Sequence, residues 1–152
     1  MILVTGANGR VGNVLVRELV SRGYKVKAFV RKSSNLDSLK GVDIKFAYGD
    51  ILDRESIKKS LDGVDSVFHL AGFVNISQSD REKTLKINIE GTQNIADLCK
   101  EYDIPLIYSS SIHAIDAPED ESLITEDTPL ATNLEESRGA YDYSKAMATQ
   151  YI

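Results

Sequence analysis

Residues 5–12 read TGANGRVG, with Gly6, Gly9 and Gly12 three apart. Before them Ile2–Thr5 is a short apolar, β-branched run; after them Val11, Val14, Leu15, Val16, Leu19 and Val20 recur on a helical period until Gly23 supplies a left-handed stop. Strand, glycine loop and helix in that order carry a physical meaning that an isolated glycine-rich turn lacks. Gly6 lets the chain turn off the strand, Gly9 removes a side chain where a diphosphate must come close, and Gly12 lets the helix pack on the sheet. Free N–H groups and the positive end of the helix then face the phosphates.

Working outward, further strands are expected at Lys25–Val30, Ile44–Ala47, Ser66–Ala71 and Ile104–Ser109. Asp53 caps a short helix through Ser60, and Thr84–Tyr102 carries Leu85, Ile89, Ile95 and Leu98 on a longer amphipathic helix that ends before Pro105. Strands alternating with helices imply a parallel sheet with helices on both faces, because parallel strands need crossovers and those crossovers bury the sheet twice. One α/β domain over residues 1–152 is the expectation. The stretch from Ile112 to Gly139 differs: eight carboxylates, one arginine and two prolines indicate a long surface loop.

Composition narrows the function. A formal charge of −5 offers no basic field for nucleic acid or an anionic membrane face, and no apolar run has the length of a membrane span. A single cysteine, Cys99, excludes an intramolecular disulfide, and with only His69 and His113 beside it no zinc spacing occurs. A cytoplasmic protein acting on a small molecule, without a metal, is expected.

The chain closes on AYDYSKAMATQYI, in which Tyr141 and Lys145 stand four apart. On a helix they share a face, about 6 Å apart along the axis. A tyrosine with its usual pKa near 10 must be helped to lose a proton at neutral pH, at a cost of about 4 kcal/mol, and a lysine cation one turn away is a neighbour that can supply it. Tyr143, only two residues from Lys145, lies on a different face and cannot form the same pair.

Taken together, these residues resemble the extended branch of the short-chain dehydrogenase/reductase family. Its motifs occur in order: TGANGRVG at 5–12, FHLAG at 68–72, INIEGT around Asn88, YSSS at 108–111, and Tyr141 with Lys145. The resemblance implies a Rossmann-type sheet and a coenzyme held by Gly6, Asn8, Gly9, Arg10, Val11 and Gly12 of the loop, with Leu70, Ala71, Gly72 and Ser109 passing close to it. Asp50 resembles the family's adenine-binding aspartate, with Ile51 beside the ring; equally, Asp50 reads as a turn residue ahead of the Asp53 cap. The same resemblance gives Tyr141 the proton transfer to or from a substrate oxygen and lets Lys145 also hold the nicotinamide ribose. Ser111 is placed on the substrate oxygen, and Asn88 behind the lysine, supporting a proton-relay water. Strand alternation puts Ser109 and Ser111 on one side and Ser110 on the other. After the serines many relatives carry Val-Tyr where this chain has IHAID, so the floor of the substrate site departs from the pattern.

Coenzyme choice is read at the end of the second strand. Val30 stands where an acid would accept hydrogen bonds from a ribose 2′-hydroxyl, and Arg31 and Lys32 follow, which favours NADP over NAD. Relatives continue through a sixth strand and a C-terminal substrate region, so the expectation is a coenzyme-binding half of a longer protein, with the strand 104–109 lacking an outer neighbour. Three functions remain open: an NADP-dependent reductase or dehydrogenase of a small carbonyl/alcohol pair, similar to the dihydroflavonol-reductase-like group; a nucleotide-sugar epimerase or dehydratase holding NAD tightly; and a non-catalytic NADP-sensing domain. Family members also dimerise through the helices around Asn88 and Tyr141, which implies a homodimer here.

Overall fold

The computed structural model describes residues 1–74, 80–115, 123–131 and 139–152. They form two compact units, one of Met1–Gly72 with Asn94–Ser109, the other of Phe73–Gln93 with Ser110–Ile152.

The first unit holds a five-stranded parallel sheet: β1 (Ile2–Thr5), β2 (Val26–Val30), β3 (Lys45–Tyr48), β4 (Ser66–His69) and β5 (Leu106–Tyr108), in the order β3-β2-β1-β4-β5. The chain therefore winds outward from β1 through β2 to β3, then returns to the other side of β1. In an open parallel sheet the carboxyl ends of the strands flanking such a reversal form a ligand crevice. Here those strands are β1 and β4, in register from Ile2 opposite Ser66 to Thr5 opposite His69.

Alternation along β1 sends Val4 to one face and Leu3 to the other. Val4 clusters with Ala28 and Val30 of β2 and with Val16 and Leu19 of α1 (Arg10–Ser21). Leu3 and its register partner Val67 are fully buried, as are Ile57 of α2 (Arg54–Ser60) and Ile95 of α4 (Gly91–Glu101). Both faces of the sheet are thus dry at its centre, as a parallel sheet requires, while the edge strands expose Phe46, Tyr48 and Ile107. Gly23 ends α1 at φ +84°, its N–H donating to the Val20 carbonyl and that of Tyr24 to Leu19, and the Asp53 side chain accepts from the Glu55 N–H to start α2.

Three expectations need correction. Val11 and Val14 are each 64% exposed, so the buried stripe of α1 is Gly12, Val16 and Leu19, and the apolar period overran the core-facing side at the first turn. The helix expected over 84–102 is built from α3 (Arg81–Leu85), a π turn (Lys86–Glu90) and α4. The last two strands, Ser66–His69 and Leu106–Tyr108, are shorter than their apolar runs, although single backbone bonds reach past their ends from Leu70 to Thr5 and from Ser109 to His69. β5 pairs with β4 alone among the described residues.

The second unit is built on α5 (Ala140–Tyr151). Ala146 of α5 packs with Ala114, from a 3₁₀ turn at Ile112–Ala114, and with Ala131. A single antiparallel bridge joins Ile115 to Leu130. Part of the expected acidic loop, residues 116–122 and 132–138, lies outside the described residues.

Candidate active site

The first unit carries the glycine loop. Gly6 has φ +67°, and a Cβ there would lie 2.7 Å from the Ala71 nitrogen, so β1 can hand the chain into the loop only past the exit of β4 with no side chain. At Gly12 a Cβ would sit 2.1 Å from the Gly6 carbonyl oxygen. Its absence lets the first turn of α1 close on the loop itself rather than on the sheet. Gly9 is exposed, has ordinary φ, and donates to the Gly6 carbonyl; it precedes α1 without any side-chain cap, and no acidic residue stands in the first turn. The N-terminal amides of α1 are therefore left for an outside acceptor. Those features fit a dinucleotide diphosphate.

Neighbouring elements fix the loop. Thr5 Oγ1 lies 2.7 Å from His69 Nδ1 and accepts from the Ala71 N–H, tying the ends of β1 and β4 together, and His69 stacks on Tyr108 of β5. Asn8 donates its side-chain amide to the Asn35 carbonyl, while Ser38 donates to the Asn8 carbonyl, so the loop is also joined to the segment after β2. Arg10 and Val11 are exposed on α1. Arg31 and Lys32 follow β2 with exposed side chains, and neither forms an ion pair among the described residues. Asp50 is exposed, and its Oδ1 accepts from the Leu52 N–H, the turn role expected as one of its two readings. Ile51 is buried, with its carbonyl taken by Asn94. Leu70 and Ala71 are half-buried beside Gly6, Gly72 is exposed, and Ser109 donates its N–H to the His69 carbonyl.

The second unit gathers the candidate catalytic side chains. Tyr141 and Lys145 stand one turn apart on α5, and Lys145 is 8% exposed. Burial pushes its ammonium down to about 8. Asn88, in the π turn, accepts from the Phe73 N–H at 2.7 Å and donates to the Phe73 carbonyl and to Ser144 Oγ; Ser144 donates in turn to the Tyr141 carbonyl. Both amide hydrogens of Asn88 are thus committed, and one lone pair on Oδ1 remains. Ser111 Oγ accepts from the His113 N–H, which leaves its hydroxyl proton free to donate onward. Ser110 lies 2.6 Å from Thr149 Oγ1, which donates to the Lys145 carbonyl, so Ser110 ties the serine segment to α5.

The family model for the NAD dependent epimerase/dehydratase family matches residues 2–152. The chain belongs to that family. Its members include NAD(P)-dependent oxidoreductases, epimerases and dehydratases. A sterol demethylase protein B of Methylococcus capsulatus is 40% identical over 74% of this chain and 35% of its own length. A putative dihydroflavonol 4-reductase of Synechocystis is 36% identical over 97% of this chain and 42% of its own length. The crystal structure of a short-chain dehydrogenase/reductase superfamily protein from Agrobacterium tumefaciens with bound NAD superimposes with a TM-score of 0.80, at 29% identity, over 99% of this chain and 43% of that one. The chain thus spans less than half the length of these relatives.

Within this family member, several contacts escaped the sequence. Nothing in the spacing pairs His113 with Asp142, whose Oδ1 lies 3.0 Å from Nδ1, or Asn88 with Phe73, since each link depends on how separate segments come together. The Asn35 turn did leave a trace: Asn35 Oδ1 accepts from the Asp37 N–H, as asparagine two residues before a short helical turn commonly does.

Proposed function

We propose that the protein is an NADP-dependent oxidoreductase interconverting a small carbonyl compound and its alcohol, with residues 1–152 as the coenzyme-binding part. The observation that carries this reading is Lys145, buried one turn from Tyr141 on α5. A lysine is rarely sealed in a protein interior without a task, because burial disfavours its charged form. Below about pH 8 it remains an ammonium and lowers the cost of a phenolate at Tyr141.

When bound, the coenzyme would supply a hydride as NADPH in reduction and take one up as NADP in oxidation. Tyr141 donates a proton to the substrate oxygen in reduction and removes one in oxidation, while Ser111 donates a hydrogen bond to the same oxygen. Lys145 supplies the charge and holds the nicotinamide ribose, and Asn88 supports the relay behind it. Gly6, Gly9, Gly12 and the α1 amides hold the diphosphate; Arg31 and Lys32 meet the 2′-phosphate. Similarity to the Synechocystis reductase supports this substrate class.

Coenzyme titration tests the reading. NADPH should bind tighter than NADH, and the double variant Arg31→Ala/Lys32→Ala should lose about tenfold of the NADPH affinity, roughly 1.4 kcal/mol, with NADH unchanged. Tighter NADH binding would instead favour a second reading, an epimerase or dehydratase with tightly held NAD, supported by the NAD in the Agrobacterium structure. NADPH binding without turnover of a dihydroflavonol or any other carbonyl would leave a coenzyme-sensing domain.

A further inference from the structure

The sequence leaves His113 equally open to local packing and to contact with substrate, and the structure sets it against the candidate acid-base residue. The His113 and Tyr141 rings meet edge to face, their centroids 5.5 Å apart at 72° between planes. Asp142, next to Tyr141 on α5, holds the imidazole through its 3.0 Å contact to Nδ1. The turn bearing His113 is itself fixed twice, by Ser111 Oγ accepting from the His113 N–H and by Ala114, fully buried against Ala146 of α5. Ser111, His113, Asp142 and Tyr141 thus form one connected set within the second unit.

We propose that His113, braced by Asp142, is a positioning residue that sets the orientation of the Tyr141 ring. The inference rests on the reading of Tyr141 as the proton donor and acceptor. The His113 and Asp142 side chains are 51% and 36% exposed, and a polar contact so open to water adds little to stability. What the pair fixes is direction. Edge-to-face packing selects one ring plane, and a carboxylate on Nδ1 keeps the imidazole from turning away. Proton transfer depends steeply on geometry, so a phenol free to rotate spends less time aligned with a substrate oxygen.

The test uses the full chain labelled with 3-fluorotyrosine. Of its seven tyrosines, Tyr141 is identified as the ¹⁹F resonance lost in Tyr141→Phe. His113→Ala should shift and broaden that resonance, and His113→Phe, which keeps an aromatic edge, should restore it. Asp142→Asn should move it part of the way. In NADPH-dependent reduction of a dihydroflavonol, His113→Ala should lower kcat about tenfold with KM for NADPH within twofold, and His113→Phe should recover most of the loss. An unchanged Tyr141 resonance in His113→Ala overturns the proposal whatever the turnover shows. If Tyr141→Phe keeps full turnover, the acid-base reading falls instead, and the resonance still reports whether His113 orients the ring.

Discussion

Around Gly6 a fixed backbone is obtained by leaving side chains out; around Tyr141 it is obtained by adding them. Gly6 and Gly12 close within contact distance of Ala71 and of each other because neither carries a Cβ. Asn88, Ser144 and Thr149 do the opposite work in the second unit, spending their side-chain hydrogen bonds on the carbonyls of Phe73, Tyr141 and Lys145. The first arrangement suits a ligand that must touch the backbone itself, as a diphosphate does. The second suits chemistry done by side chains, which need a rigid helix beneath them.

The glycine side of this comparison is broken most severely by Gly12→Ala. The added carbon would lie 2.1 Å from a carbonyl oxygen in the backbone, which cannot swing aside as a flexible side chain can. Urea denaturation should show a loss of about 3 kcal/mol or more, with coenzyme binding gone. Gly23→Ala is the control: nothing lies within 4 Å of its missing Cβ, and only φ +84° opposes the change. It should cost about 1 kcal/mol and leave coenzyme affinity intact. Equal losses in the two variants would mean that conformational freedom, not close approach, is what the loop needs.

This difference also explains what could be read in advance. Absent side chains are visible in a sequence: TGANGRVG displays its glycines at fixed spacing, and the alternation of apolar runs displayed the parallel sheet. Tyr141 and Lys145 were legible for a similar reason, since four residues on one helix fix their own geometry. Asn88 carries no such mark. Its partners Phe73 and Ser144 lie 15 and 56 residues away, and only the folded chain brings them together. The π turn was hidden too, because a helical period does not reveal one extra residue per turn. Val11 misled in the other direction: its apolar character fits the helical period, yet it faces out at the first turn of α1.

Asn88→Ala breaks the other side. It would strand the N–H and carbonyl of Phe73 beside a position that is 2% exposed, while Ser144 keeps its bond to the Tyr141 carbonyl, and unpaired buried polar groups cost about 1–3 kcal/mol each. Relaxation and water entry will recover part of this, so a net loss of about 2–3 kcal/mol is expected in urea, with NADPH affinity retained if the first unit holds its ligand without help from Asn88. Loss of NADPH binding in parallel with stability would refute that independence.

Lys145→Met sharpens the comparison because stability and function should move in opposite directions. The unfolded chain holds this proton with a pKa of 10.5, the folded chain with one of about 8, so at pH 7 the buried ammonium opposes folding by about 3 kcal/mol. Methionine fills similar volume without charge, and after allowing about 1 kcal/mol for the interaction Lys145 makes, the variant should be more stable by about 2 kcal/mol at pH 7. The sign of the pH dependence follows from proton counting. Between about 8 and 10.5 the unfolded chain binds a proton that the folded chain has released, so the stability of the natural chain rises with pH across that window. The advantage of the methionine variant should therefore be full below pH 8 and shrink as pH approaches 10.5, while its turnover is lost at every pH. A variant no more stable than the natural chain at pH 7 would mean that the interactions of Lys145 offset its burial, and that α5 gives up no stability to hold a charge beside Tyr141.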